Sequence, residues 1–186
     1  TFIVNQSPFL RKRIDEYKKR VNLDPHKVTG SREQWITVYG DSFQRKGEAP
    51  LKTLKYFLDK YLGSIITGVH ILPCFETPED PQKNDGGFAI TNHEKINPAL
   101  GTWEDIQAIA KDRLLMLDFV LNHVSTESIW FKEWLKGNSE YEDFFIEIKD
   151  EHDPRLQLIT RPRITPLIYE HTRANGVKAK LVHTFG

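Results

Sequence analysis

The stretch Leu114-Leu115-Met116-Leu117-Asp118-Phe119-Val120-Leu121-Asn122-His123 decides how the rest of the chain is read. Its first seven positions are apolar except for Asp118, and it ends in an amide and an imidazole. A run that is apolar at successive rather than alternate positions needs cover on both faces, as a strand of a parallel sheet does. Two earlier runs are of the same kind. Trp35-Ile36-Thr37-Val38-Tyr39 is stopped by Gly40-Asp41, and Gly68-Val69-His70-Ile71-Leu72 is broken by Pro73. Between them, Pro50 opens a helix whose apolar face carries Leu51, Leu54, Leu58 and Leu62, with Gly63 placed to end it. Thr102 and Asp105 form a capping box ahead of Ile106, Ile109 and Ala110. Strands alternating with helices predict an α/β chain with parallel strands. The segment from Pro73 to Leu100, rich in Pro, Gly, Asn and Asp, reads as one long loop.

On the N-terminal side, Ser7-Pro8 reads as an N-cap with proline in the first turn, followed by Leu10, Ile14, Tyr17 and Val21 at helical spacing. On the C-terminal side, Ser128 to Leu135 predicts a short helix ended near Gly137, with Trp130 and Trp134 one turn apart. Beyond it Pro154, Pro162 and Pro166 punctuate an irregular region, and Asn175-Gly176 predicts a hairpin turn into Lys178-Ala179-Lys180-Leu181-Val182. The expected organisation is a helical extension over 1–34, a β/α unit over 35–124, and an excursion of helix, loop and hairpin over 125–186.

The 186 residues carry 26 basic and 26 acidic side chains, 39% hydrophobic residues and one cysteine. A zero net charge argues against dispersed binding to nucleic acid, whose phosphates demand a basic surface. No run approaches the roughly 20 apolar residues that cross a bilayer, so no membrane-spanning role is expected. Cys74 alone forms no internal disulfide and no signal peptide is recognisable, which makes a cytoplasmic location the expectation. The charges segregate locally: Glu133 to Asp153 is acid-rich, and Arg155 to Lys180 is mostly basic. That pattern suits internal pairing or a protein-facing surface, with solvated surfaces as the default.

Ligands of parallel β/α folds gather at the carboxyl ends of strands. Asp41 follows the first strand, the Asp85 to His93 loop follows the second, and Asn122-His123 follows the third. Carboxylate, imidazole and amide groups converging there suit a polyol or sugar, whose hydroxyls would satisfy them. Tyr39, Phe43, Phe75 and Phe88 offer faces for stacking. Each residue also has a purely structural reading: Asp118 as a buttress, Asn122 as a cap, His93 and His123 as ordinary loop or core histidines. The chain has no HExxH, no calcium loop, no GxSxG elbow, no GxGxxG turn and no P-loop, which disfavours metal, serine hydrolase, dinucleotide and phosphotransfer readings.

Asp118-Phe119-Val120-Leu121-Asn122-His123 resembles the first motif of glycoside hydrolase family 13, the α-amylase superfamily, in which Asp-x-x-x-Asn-His ends the third strand of a (β/α)8 barrel. Ile36 to Asp41, Gly68 to Pro73, Asp85-Gly86-Gly87-Phe88 with His93, Gly101 to Ile106 and Thr160-Arg161-Pro162-Arg163 look like its sucrose phosphorylase branch. Trp130-Phe131-Lys132, Glu142 to Phe145 and Arg161-Pro162-Arg163 look most like glucosylglycerate phosphorylases. The resemblance covers roughly residues 35 to 186 and implies the N-terminal part of a TIM barrel, about three βα units, with a small inserted domain after the third strand.

By position it also implies roles. Asp41, His93 and His123 match residues that hold the glucosyl unit; Asp118 and Asn122 match the support of that strand end. Phe185 matches an aromatic wall beside the sugar, and Arg163 lies in a mobile loop that helps admit phosphate or acceptor. The implied reaction is a retaining double displacement on α-glucosides such as sucrose or glucosylglycerate. Inorganic phosphate is the co-substrate, no further cofactor is needed and no calcium is expected. Such chemistry needs two carboxyl groups about 5 Å apart. In this superfamily they come from the fourth and fifth strands, with a stabilising Asp from the seventh, all beyond Gly186. No catalytic residue is therefore expected in this chain, and the isolated chain is expected to be inactive. The expected partners are the α-glucoside, phosphate, and the C-terminal remainder of the barrel or a homo-oligomer. A non-catalytic sugar-binding or scaffold subunit reusing the half-barrel is the alternative.

Overall fold

In a computed structural model, residues 2–20, 33–63, 65–161 and 164–183 are described. The chain forms two compact units, Thr1–Glu33 and Gln34–Gly186. In the first, helix α1 (Phe2–Arg20) begins before the expected cap, so that Pro8 lies inside the helix rather than in its first turn. Proline's fixed φ is itself helical, so the cost at Pro8 is the hydrogen bond its missing N–H would make to the Val4 carbonyl, and upstream residues extend the helix regardless. Lys18, Lys19 and Arg20 fill the last turn, where the helix dipole favours cations.

The second unit is built on a three-stranded parallel sheet in the order β1 (Trp35–Val38), β2 (Gly68–Ile71), β5 (Leu114–Leu117). Helix α2 (Pro50–Leu62) connects the first pair and α3 (Trp103–Ala110) precedes the third strand, giving the predicted β/α alternation. The register aligns three residues in each row: Trp35, Gly68 and Leu114; Ile36, Val69 and Leu115; Thr37, His70 and Met116; Val38, Ile71 and Leu117. Period-2 alternation then divides the rows between two faces. The second and fourth rows join Leu51, Leu54, Leu58, Ile106 and Ile109 of the helices in one hydrophobic core. On the other face Thr37 is exposed, and Trp35 and Met116 retain 37% and 47% of their accessible surface.

Three local expectations are corrected. The segment expected as one loop contains an antiparallel ribbon of β3 (Phe75–Glu76) and β4 (Asn92–Ile96), held by long-range pairing that no local periodicity announces. Strand β5 stops at Leu117, because its neighbour β2 ends just before Leu72-Pro73; Asp118 N–H to the Ile71 carbonyl, at 3.4 Å, is the last ladder contact. Gly63 ends α2 with right-handed angles, φ −58° and ψ −32°, not as a left-handed cap. The capping box forms as read, the Asp105 carboxylate accepting the Thr102 N–H at 3.0 Å.

After the sheet, α4 (Ile129–Lys136) starts at the Ser128 cap, whose hydroxyl accepts the Phe131 N–H at 3.0 Å, and ends at Gly137 with φ 82°. The ribbon β6 (Ile168–Thr172) and β7 (Lys178–Val182) turns at Asn175-Gly176 as expected, with Gly176 at φ 80°. Phe131 and Trp134 of α4 bury against Ala179 and Leu181 of β7 in a second hydrophobic cluster. The acidic and basic stretches do pair, through Arg173 with Glu142 and Glu147 and through Lys180 with Glu151.

A Cβ added at Gly68 would lie 2.4–2.7 Å from the Trp35 indole, so the two are mutually required on the uncovered face. Gly68→Ala should destabilise the chain by about 1–3 kcal/mol through this overlap. In urea titrations Trp35→Ala combined with Gly68→Ala should lose less than the sum of the single changes; strict additivity would refute the coupling.

Candidate functional site

The parallel register brings the carboxyl ends of β1, β2 and β5 side by side, and the candidate residues lie on the turns and segments that leave them. After β1, a turn is closed by Ser42, whose N–H donates to the Tyr39 carbonyl (3.1 Å) and whose hydroxyl accepts the Tyr39 N–H (3.0 Å). Asp41 is exposed in this turn, its carbonyl accepting Gln44 Nε2 at 3.1 Å. Asp118, just beyond β5, is partly buried and its Oδ1 accepts Nε2–H of His70 at 2.8 Å. The other ring nitrogen of His70, Nδ1, lies 3.4 Å from the Thr37 hydroxyl of β1. Thr37, His70 and Asp118 thus form a polar line across the sheet on the face away from the helices. His70 was the signal available in the sequence: a polar residue in an otherwise apolar strand.

His93, on β4, is buried, and its Nε2 donates to the Val120 carbonyl at 2.7 Å. Its ring lies parallel to the Trp130 ring, 3° apart with centroids at 4.3 Å, and meets the edge of Phe119 at 5.3 Å. The segment after β5 is therefore held from two sides, by His70 at Asp118 and by His93 at Val120. Neither Trp130 nor the Val120 carbonyl was legible as a partner, since both contacts join segments far apart in the chain.

His123 is half-buried, and desolvation pushes its imidazole below its ordinary range, with the Asp85 carboxylate and the Phe88 backbone acting in the opposite direction. Asp85 stands in the turn Asp85–Gly87 with φ 47°, followed by Gly86 at 65° and Gly87 at 96°. Glycine takes up the second and third of these positive φ values at no steric cost, so the strain in the turn falls on Asp85 alone. Asn84 steadies this turn, its Oδ1 accepting the Gly86 N–H at 3.0 Å. Asn122 is exposed beside His123. Arg163 and Phe185 lie outside the described residues.

Two of the four aromatic residues read as stacking faces serve packing instead. Phe43 stacks on Phe57 with centroids 4.0 Å apart, and Phe75 is buried in the core; Tyr39 remains 47% exposed. Burial pushes the Cys74 thiol up to about 11, which leaves too little thiolate for a nucleophile at neutral pH. Among the described residues no group of three or more His, Cys, Asp or Glu converges to hold a metal ion. No helix among them is long and apolar enough to cross a membrane.

Three parallel strands alternating with helices, with polar residues at their carboxyl ends, form part of a (β/α)8 barrel. The family model described as alpha amylase, catalytic domain, matches residues 37–171, and the chain belongs to that family. A glucosylglycerate phosphorylase of Spirochaeta thermophila is 47% identical over 141 residues, which is 76% of this chain and 23% of the relative. A sucrose 6(F)-phosphate phosphorylase of Thermoanaerobacterium thermosaccharolyticum is 44% identical over 100 residues, 53% of this chain and 20% of the relative. The crystal structure of a sucrose 6F-phosphate phosphorylase from Thermoanaerobacter thermosaccharolyticum superposes with a TM-score of 0.70 at 31% identity, covering 88% of this chain and 33% of that one. The chain spans about a quarter of the length of the curated relatives it matches. These likenesses confirm the expected family, its phosphorylase branch and the partial-barrel fold.

A double-mutant cycle reads the His70 contact. His70→Ala and Asp118→Ala should couple by about 0.5–3 kcal/mol, and independent effects would show that the 2.8 Å bond is not maintained in solution. The lowered proton affinity of His123 also has a stability consequence. Above an unfolded imidazole value of about 6.5 its contribution is fully present; as pH falls through that value the unfolded chain takes up the proton first and stability drops. Chemical denaturation at about pH 7.5 and pH 5 should show a smaller pH-dependent loss in His123→Phe than in the unaltered chain.

Proposed function

We propose that this chain supplies the donor-sugar side of a sucrose-phosphorylase-like glycoside phosphorylase. In this reading Asp41, His93 and His123 bind the glucosyl unit, with Asp118 and Asn122 supporting the strand end. The single observation that carries it is the strand-end constellation itself, in which the Asp118–His123 segment is fixed from two sides while His123 and the strained Asp85 turn act on each other. A half-buried imidazole of lowered proton affinity is the kind of neutral polar group that suits an uncharged, hydroxyl-rich ligand. The family membership and the names of the phosphorylase relatives support the same class of substrate.

In the complete reaction we assign this site to a retaining transfer of glucose from sucrose or glucosylglycerate to inorganic phosphate, with no other cofactor. Arg163 and Phe185 take the acceptor-side and aromatic-wall roles. Residues 1–186 contain no carboxylate that the family pattern assigns as nucleophile or acid/base, so binding without turnover is the property proposed for this chain alone. Bound sugar and phosphate are its proposed small-molecule partners, and a cytoplasmic setting suits a phosphorolytic enzyme.

The uncovered sheet face, with Trp35 and Met116 partly exposed, favours a second reading as a non-catalytic subunit completed by another polypeptide. Light scattering separates the two: a stable monomer that binds glucose supports the first reading and counts against obligatory completion.

Calorimetry should detect saturable binding of glucose by the chain, weakened about tenfold in His123→Ala, the size expected for one lost hydrogen bond to a buried polar group. Absence of saturable heat with both glucose and sucrose would overturn the sugar-site assignment. Incubation with sucrose or glucosylglycerate plus phosphate should yield no α-glucose 1-phosphate, and turnover by the homogeneous chain would overturn the assignment of binding without chemistry.

A further inference from the structure

Three rings surround the imidazole of buried His93. Trp130 lies parallel to it at 4.3 Å, Phe119 meets it at 83° with centroids 5.3 Å apart, and Phe75 stands 5.9 Å away. Nε2 of the ring is held by the Val120 carbonyl at 2.7 Å. A carbonyl oxygen only accepts, so this nitrogen carries the hydrogen and the neutral ring keeps its lone pair on Nδ1. Among the described residues no group bonds to that Nδ1. The two contacts restrain different motions. Stacking fixes the plane of the ring, whereas the carbonyl decides the half-turn about Cβ–Cγ, because a flipped ring would point a carbon-bound hydrogen at it. Without the indole the plane is free to swing, since this torsion has only broad minima of its own.

Main-chain bonds deliver Trp130 to this place. Ser125 N–H donates to the Ile90 carbonyl at 3.0 Å and Ile129 N–H to the Thr91 carbonyl at 3.1 Å, which ties the start of α4 to the two residues before β4. Thr91 is itself anchored to β3, its N–H and its hydroxyl both donating to the Glu76 carbonyl, at 2.8 and 3.0 Å. Indole and imidazole therefore stand on one frame. Trp130 belongs to neither hydrophobic cluster, for Phe131 and Trp134 supply the share of α4 in the second. Its parallel ring contact is with His93, and Phe144 meets it at 73° with centroids 5.4 Å apart.

An imidazole held in this way offers a ligand one lone pair in one direction. A lone pair calls for a donor, which every sugar hydroxyl supplies and an ionised carboxylate does not. Setting its direction beforehand raises affinity, because less rotational freedom is lost when the ligand arrives.

We propose that Trp130 is a positioning residue of the sugar site: by stacking on His93 it holds the imidazole plane so that Nδ1 accepts a hydrogen bond from one hydroxyl of the glucosyl unit. This rests on the function proposed above, in which His93 contacts that unit, and deepens it by naming the ring nitrogen, the direction of the bond and the residue that controls both. Sugar affinity then depends on α4, an element of the excursion rather than of the parallel sheet.

Long-range 1H–15N correlation spectra of the full chain read the His93 ring directly. The expected result is a hydrogen on Nε2 alone, with saturating glucose shifting the Nδ1 resonance and leaving the Nε2 hydrogen in place. Calorimetry then follows glucose into Trp130→Leu, which keeps apolar bulk but removes the stacking face. Affinity should fall about tenfold, the worth of one hydrogen bond, and Trp130→Phe should restore it to within about threefold of the unaltered chain. A merely structural role would not distinguish one sugar from another. Across the monodeoxyglucoses, the Trp130→Leu loss should therefore persist except for the sugar lacking the hydroxyl that Nδ1 accepts, where it should vanish. A hydrogen on Nδ1 in place of Nε2, unchanged glucose affinity in Trp130→Leu, or an equal loss across all the sugars would each overturn the positioning role. Should Trp130→Leu not fold, the unaltered chain decides, since an Nδ1 resonance that saturating glucose leaves unmoved overturns it as well. If the unaltered chain binds no glucose at all, the underlying sugar-site reading falls and takes this proposal with it.

Discussion

One constraint organises the larger unit: alternate residues of β1, β2 and β5 must be covered by α2 and α3. Ile36, Val38, Val69, Ile71, Leu115 and Leu117 supply that face, and the leucines and isoleucines of the two helices close over it. Once those rows are buried, the register is set, because a slip of one residue would turn every buried side chain to the opposite face. The same register places His70 between Thr37 and Met116 on the uncovered face and aligns the strand ends, so the polar line from Thr37 to Asp118 follows from apolar packing.

The Asp118–His123 segment illustrates how backbone beyond a strand end is held without regular structure. It has left the ladder and has no strand neighbour of its own. Two histidines replace the ladder, His70 from β2 and His93 from β4, each spending one ring nitrogen on the segment. The antiparallel β3–β4 ribbon matters for this reason, since it carries His93 back across to Val120. Trp130, at the start of α4, then lies against the His93 ring and connects the site to the element that opens the second hydrophobic cluster. His123, next to these anchored positions, stays half-buried and poor in proton affinity, which suits a neutral hydrogen-bonding group.

The zero net charge likewise acquires a structural meaning. It is composed of acidic and basic stretches that meet in space, Arg173 bridging Glu142 and Glu147 and Lys180 reaching Glu151 across the excursion. The more exposed Lys180–Glu151 pair contributes little stability by itself, whereas Arg173 is buried, and removing its carboxylates would leave its charge uncompensated. The role of these pairs is to let a region with a small apolar cluster keep its charged surface internally matched, while Phe131, Trp134, Ala179 and Leu181 supply its packing.

The sequence alone determined the parallel strands, the helices between them, the capping box at Thr102, the short helix ended near Gly137, the Asn175-Gly176 turn and the family, because each depends on contacts within a few residues or on an ordered set of short motifs. It also placed Asp41 directly after the first strand and Asn122-His123 shortly after the third. Only the tertiary structure decided that His70 holds Asp118, that His93 gives Nε2 to the Val120 carbonyl and stacks on Trp130, and that Phe43 and Phe75 pack inward. It likewise decided that His171 meets His183. The reason is the same in each case: these contacts join segments from 12 to 48 residues apart, and their geometry is set by sheet register and ribbon pairing rather than by any local pattern of side chains.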